Sequence, residues 1–361
     1  MEIAGIIENK VASYFSIKSV HMEDKAFYFI VWNYSRENFL HLVDELDKIG
    51  YIPFIEEHEG DYKINIVNKP EHKESKVHIN VILLLVTIIS TVLAGYFYSG
   101  VNLETGSIFT ISSILNGSAF SLPNLIHGIS FSIALLAIIG THESAHYFAA
   151  KKHGVRATLP YFIPAPTFVG TFGALINIRS AIPTRKALFD LGVSGPIAGF
   201  LVTIPVLIIG LSLSNLAPVQ SGSYVFYPPL LMQIIMILLS IQIPPGYDLY
   251  IHPVAFAGWV GIIITMLNLM PVAVLDGGHI SRSLFSRKSH YFVSIAGIAV
   301  TFFLGWYFMA MLMAFFLFFL AKTHPGALDN ISRIDRNRKI VAVLVVIIFI
   351  LCLSPMPTIM A

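Results

Sequence analysis

The chain has 361 residues, 55% of them hydrophobic and 12% charged, and a mean hydropathy of +0.74. A soluble globular domain is about a quarter charged, so lipid is the expected solvent for most of this chain. The net charge of +2 gives no reason to expect a nucleic-acid partner, and the single cysteine, Cys352, excludes an internal disulfide and a thiolate metal cluster.

The first 15 residues contain no apolar core of signal-peptide length. Residues 1–76 hold many of the acidic groups and read as a small soluble α+β domain. Ala26–Trp32 is aromatic and β-branched, which predicts a strand. Phe39, Leu40, Leu42, Val43, Leu46 and Ile49 recur at helical spacing, with Ser35 as N-cap and Gly50 as stop. Tyr51–Glu56 and Tyr62–Val67 read as strands joined by a turn at Glu59-Gly60-Asp61, and a polar linker, Asn68–Lys76, follows.

Residues 77–361 read as a polytopic α-helical membrane domain of about six to eight membrane segments. Apolar stretches cover Ile79–Tyr98, Leu122–Ala150, Leu188–Leu213, Pro229–Ile243, Pro253–Leu275, Tyr291–Ala321 and Ile340–Ser354. Most match the roughly 20 residues that cross the hydrocarbon. Pro229–Ile243 is short enough to be re-entrant or interfacial. Tyr291–Ala321 is too long for one upright span, so it tilts or divides near Gly305 into a hairpin. Basic residues cluster at Lys151, Lys152 and Arg156, at Arg179, Arg185 and Lys186, at Arg282, Arg287 and Lys288, and at Arg333–Lys339. The excess of Lys and Arg on cytoplasmic loops puts these, and the N-terminal domain, on the cytoplasmic side of a cell membrane, or the equivalent side of a plastid membrane if the source is photosynthetic.

Chemistry concentrates in two segments. Gly140–His146 reads GTHESAH. On a helix, His142 and His146 share a face and can share a metal, and Glu143 beside them can reach a metal-bound water. The competing reading has the histidines capping the helix end among headgroups. A catalytic zinc needs a third protein ligand and an open position. Asn268–His279 reads NLMPVAVLDGGH, where Asp276 ends an apolar run that carries no other charge. An ionisable group there marks a functional site by default. An N-cap role for Asp276 is the alternative, and is compatible with ligation. His142 lies about 13 Å of helix from Lys151, and Asp276 about 9 Å from Arg282, so the two segments present their ligands at similar depth.

HESAH followed by N-x-x-P-x-x-x-L-D-G-G closely resembles the site-2 protease family of intramembrane zinc metalloproteases, most of all its prokaryotic and plastid branch. The resemblance runs from about Leu122 to Ser289 and includes GVSGPIAG (Gly192–Gly199) and HPVAFAGWVG (His252–Gly261). It implies one zinc per chain held by His142, His146 and Asp276, with Glu143 as catalytic acid/base. It also matches Asn268 to the family's asparagine, which would donate to substrate or orient a ligand, as against a structural helix–helix hydrogen bond. The implied partners are the bilayer and a membrane-spanning protein substrate. A regulatory partner or ligand of residues 1–76 is left open. Val274 departs from the polar residue many relatives carry before Leu-Asp-Gly.

Leu159–Arg179 is broken by prolines and glycines, and Val169–Arg179 suits a β-strand. A membrane-associated β-hairpin dipping in from the cytoplasmic side would offer its edge to an extended substrate; the alternative is an interfacial loop. Gly195 and Gly199 form a G-x-x-x-G step for close packing of the third span. His279 reads as a residue behind the ligands or, more readily, as solvated; His153 reads as solvated; His127 and His252 fall at the opposite end. A metal transporter and a catalytically inactive scaffold are the alternative functions. The bare spans away from this one site disfavour the first, and the intact ligand set with Glu143 disfavours the second.

Overall fold

The computed structural model describes residues 2–23, 26–69, 77–99, 121–219, 224–225, 227–272, 275–320, 326–356 and 358–359. Val274 and most of the Asn68–Lys76 linker lie outside the described residues.

Residues 2–68 form a four-stranded antiparallel sheet carrying two helices: α1 (Glu2–Ala12), β1 (Ile17–Glu23), β2 (Ala26–Val31), α2 (Arg36–Asp47), β3 (Tyr51–His58) and β4 (Asp61–Asn68), with strand order β1-β2-β4-β3. The capping of α2 is as expected, since the Ser35 hydroxyl accepts from the Asn38 amide. The expected strands are present, with β3 and β4 extended to a tight turn where Glu59 and Gly60 take positive φ. The sequence reading did not anticipate α1 and β1. α1 buries only Ile7 and Val11 while Ile3 and Ile6 are exposed, and β1 is an edge strand with polar residues at Lys18, Ser19 and His21. Neither leaves a strong periodic signal.

Three helices among the described residues are long and apolar enough to cross a membrane: α3 (Val77–Ser99), α4 (Leu122–Lys152) and α5 (Arg185–Ser212). The chain is a membrane protein. Shorter apolar helices follow: α6 (Leu230–Leu238), α7 (Pro253–Asn268), α9 (Arg287–Phe303), α10 (Tyr307–Phe315) and α11 (Arg336–Cys352), with the polar α8 (Asp276–Leu284) between α7 and α9. At 1.5 Å per residue, the 16 residues of α7 span about 24 Å. Within the expected Tyr291–Ala321 stretch, α9 and α10 form a hairpin. Gly305 takes φ +86° between α9 and α10, and the Thr301 hydroxyl comes within 3.7 Å of Met313 Sδ across the turn.

The main core joins α4, α5 and α7 through Phe131, Leu135, Phe200, Leu207, Trp259, Ile262 and Met266. The expected hairpin exists as β5 (Tyr161–Pro164) and β6 (Thr171–Leu175), paired antiparallel. It runs beside α3: Asn80 Nδ2 donates to the carbonyls of Leu159 and Pro160 at 3.0 and 2.9 Å, and Ser90 Oγ donates to that of Gly170 at 2.7 Å. Asn80 and Ser90 are about 15 Å apart along their helix, so the hairpin lies lengthwise against an apolar segment rather than on its end.

At the basic ends of the helices, Arg338 of α11 grips Asp190 of α5 through Nε at 2.8 Å and Nη2 at 2.5 Å, and also pairs with Asp335. His153 Nε2 lies 2.9 Å from the same Asp190. The expectation that His153 is solvated is therefore corrected: it follows α4 and ties that helix end to α5.

Candidate active site

α4 carries His142, Glu143 and His146, all buried. α8 brings Asp276 to them in its first turn, with Leu275 as N-cap. His142 Nε2 is 3.2 Å from Asp276 Oδ2, His146 Nε2 is 3.2 Å from Asp276 Oδ1, and the two Nε2 atoms are 3.1 Å apart. With one atom taken from each residue, the donor group lies within 4.8 Å, so its three side chains can close on one ion, whose tetrahedral ligand–ligand edges are about 3.3 Å. Its two imidazoles and one carboxylate also suit zinc.

The second nitrogen of His146 is also accounted for. His146 Nδ1 lies 2.8 Å from the Leu191 carbonyl of α5, which fixes the ring with Nε2 turned to the donor cluster. α5 can come this close because its facing residues are Gly195 and Gly199. A Cβ on Gly195 would lie 2.1 Å from His146 Nε2, and one on Gly199 would lie 3.2 Å from His142 Nδ1. The G-x-x-x-G step is a packing device, as expected, and its neighbour is the histidine pair itself.

Glu143 does not join the three donors. Its Oε2 accepts from the Ile176 amide just after β6 at 3.0 Å. That bond sets the carboxylate between the donors and the hairpin. A cavity of about 310 Å³ opens there, lined by His142, Glu143, Phe172, Ala174, Trp259 and Asn268. β6, not β5, faces it. Asn268 therefore shares a cavity with Glu143 and His142. His279 is half-buried, with its Cβ against Gly192 of α5, so the solvated reading is corrected for it as well. His127 and His252 meet edge-on at 5.0 Å, away from the donors.

Residues 130–312 match the family model described as Peptidase family M50. The chain belongs to that family. The matched stretch covers half of the chain and contains every site residue named above. Among curated relatives, Probable zinc metalloprotease EGY1, chloroplastic, of Oryza sativa subsp. japonica is 35% identical over 162 residues, which are 43% of this chain and 28% of that protein. Its namesake from Arabidopsis thaliana is 34% identical over 162 residues, 43% of this chain and 29% of that one. Probable zinc metalloprotease EGY2, chloroplastic, of Oryza sativa subsp. indica is 32% identical over 174 residues, 46% of this chain and 32% of that one. The chain thus spans less than a third of the length of the curated relatives it matches. No solved structure matches it significantly. The resemblance drawn from HESAH and the Asp-Gly-Gly element is borne out at the level of this M50 family and its plastid-type members.

Sequence reading missed the groups that support the site. The Leu191 carbonyl and the Ile176 amide are backbone atoms with no sequence signature. The role of Gly195 and Gly199 was half legible, since their spacing predicted a close approach without naming the partner.

Proposed function

We propose that this chain is an intramembrane zinc endopeptidase that hydrolyses peptide bonds in or near membrane-spanning segments of other proteins. The observation that carries this reading is the convergence of His142, His146 and Asp276 beside a separately held Glu143. His142, His146 and Asp276 would hold the metal. When bound, zinc supplies a Lewis acid that activates water and polarises the scissile carbonyl. Glu143 takes the proton of the attacking water and returns it to the leaving amine as the C–N bond breaks. Asn268, on the cavity wall, donates a hydrogen bond to the substrate backbone.

β6 presents a strand to the same cavity, and an extended substrate segment pairs with it by strand addition. That requires the substrate helix to unwind locally, which frees its backbone groups to be satisfied by the hairpin. Phe172, Trp259 and Trp306 make the cavity apolar enough to take the side chains of a membrane segment. A transporter has no use for a carboxylate held off the donor cluster by a backbone amide.

We further propose that residues 1–76 form a small domain on the cytoplasmic face and residues 77–361 a protease domain of six to eight membrane segments. The basic clusters at the ends of α4, α5 and α8 support that orientation. The chloroplastic names of the relatives favour a plastid membrane in a photosynthetic source. The test of the catalytic reading is Glu143→Gln in purified protein: it should retain zinc and lose cleavage of a membrane-spanning substrate.

A further inference from the structure

The N-terminal sheet does not hang free from the membrane helices. Its edge strand β3 is extended by residues 328–330: the Ile55 amide donates to the Leu328 carbonyl at 2.8 Å, and the Asn330 amide to the Ile55 carbonyl at 3.3 Å. The same short strand pairs on its other side with the chain entering α5. The Leu328 amide donates to the Ile182 carbonyl at 2.9 Å and the Asp329 amide to the Pro183 carbonyl at 3.0 Å. Leu328 is buried in the N-terminal core beside Phe29, Phe39 and Ile55, with Ala181 and Ile331 packed against that core. Three separate parts of the chain thus make one continuous ladder.

Asp329 is the lock of this ladder. It is fully buried. Its carboxylate accepts from the Tyr34 hydroxyl of the N-terminal domain at 2.8 Å, from the amides of Ile331 and Ser332 at 3.0 Å each, and from the Ser332 hydroxyl. Removing this carboxylate strips the Ile331 and Ser332 amides of their acceptor and leaves the Tyr34 and Ser332 hydroxyls, 3.0 Å apart, only each other, which is costly.

The segment on the far side of the ladder, Ile176–Arg185, touches each part of the site. At its start the Ile176 amide holds Glu143. Along it, the Arg179 backbone amide donates to the carbonyl of Arg156 beyond α4 at 2.7 Å. At its end Thr184 caps α5, accepting from the Ala187 amide, and α5 supplies the glycines that seat both histidines. Arg185 Nε then donates to the Ser283 carbonyl at 2.7 Å, in the last turn of α8, whose first turn carries Asp276.

We infer that Asp329 is a positioning residue for the active site. By locking the N-terminal sheet to residues 182–184, it fixes the Ile176–Arg185 segment and so sets the placement of Glu143 and the metal donors. The N-terminal sheet is then part of the framework of the site. The inference rests on the metalloprotease reading for its consequence in catalysis, but the coupling itself can be read without activity.

The test uses the full chain in detergent, as wild type, Asp329→Ala and Tyr34→Phe. Amide hydrogen exchange is followed at Leu328 and at Ile176, and the visible spectrum of the cobalt-loaded protein reports ligand geometry. Asp329→Ala should speed exchange at both amides together, by about tenfold or more, and change the cobalt bands. Tyr34→Phe, which removes one donor of four, should speed both amides by a smaller factor, about threefold, and remains informative if Asp329→Ala does not fold. Faster exchange at Leu328 with Ile176 and the cobalt bands unchanged would overturn the inference. So would unchanged exchange at Leu328. Failure of the wild-type chain to take up cobalt would instead refute the metalloprotease reading, leaving the amide result to stand alone.

Discussion

Gly195 stands so close to His146 that the smallest possible side chain on it would occupy the space of the Nε2 atom, 2.1 Å away. Nothing in that contact is the soft end of a flexible side chain: the imidazole is fixed by the Leu191 carbonyl on its other nitrogen. Gly195→Ala should therefore displace a metal ligand, and the purified variant should lose most of its bound zinc. Gly199→Ala, whose Cβ would lie 3.2 Å from His142 Nδ1, asks only for a shift of a few tenths of an ångström. It should keep its zinc. Equal metal content in the two variants, measured by elemental analysis, would contradict the cradle.

The hairpin makes a separate prediction. Ala174 pairs with Phe162 in β5–β6 and lines the cavity beside Glu143. Proline there removes an amide from the strand and rigidifies its backbone. Ala174→Pro should lower cleavage of a membrane-spanning substrate by about tenfold or more, the cost of about one lost transition-state hydrogen bond, while leaving bound metal unchanged. Unchanged cleavage would argue against β6 as the edge that substrate joins.

Acid should loosen the N-terminal domain at an identifiable pair of contacts, one of which ties α1 to α2. The Lys10 ammonium, hydrogen-bonded to Glu45, and Lys48 beside it hold the Glu45 carboxyl down from 4.5 to about 2. A carboxyl depressed in the folded state stabilises fully above its unfolded value, and that contribution disappears as pH falls from about 4.5 to about 2. The wild-type unfolding midpoint should therefore fall more steeply across that window than that of Glu45→Gln. Parallel curves would show that the pair contributes nothing to folding.

The junction of α4, α5 and α11 is held by the two-pronged grip of Arg338 on Asp190. Lysine keeps the charge and loses the fork. Arg338→Lys should lower thermal stability by about 1 kcal/mol, with cleavage per folded molecule intact. An unchanged melting temperature would contradict the geometry.

What the sequence disclosed follows from which atoms carry the information. His142, Glu143, His146 and Asp276 are side chains whose type and spacing state their chemistry, and the apolar surroundings make each of them conspicuous. α2 was legible because its apolar period and Ser35 cap agree. α1 and β1 were not, because one buries only a narrow stripe and the other lies at a polar edge. The ladder through Ile55, Leu328 and Ile182 was invisible for a deeper reason. It consists of backbone hydrogen bonds between segments more than a hundred residues apart, and any residues of suitable size could make them. Asp329 belongs to no motif that marks it in the sequence. Its burial, and Tyr34 aimed at it, appear only once the chain is folded.

The most direct measurement of the central claim pairs metal content with cleavage in one preparation. Wild type, Glu143→Gln, His142→Ala and Asp276→Ala are purified in detergent, their zinc is quantified, and a membrane-spanning substrate is added to each. Wild type should bind one zinc per chain and cleave. Glu143→Gln should bind the same zinc and cleave at least about a hundredfold more slowly, the usual contribution of a general acid/base. The two ligand variants should lose both metal and activity. Cleavage undiminished in Glu143→Gln, or zinc retained in both His142→Ala and Asp276→Ala, would contradict the account.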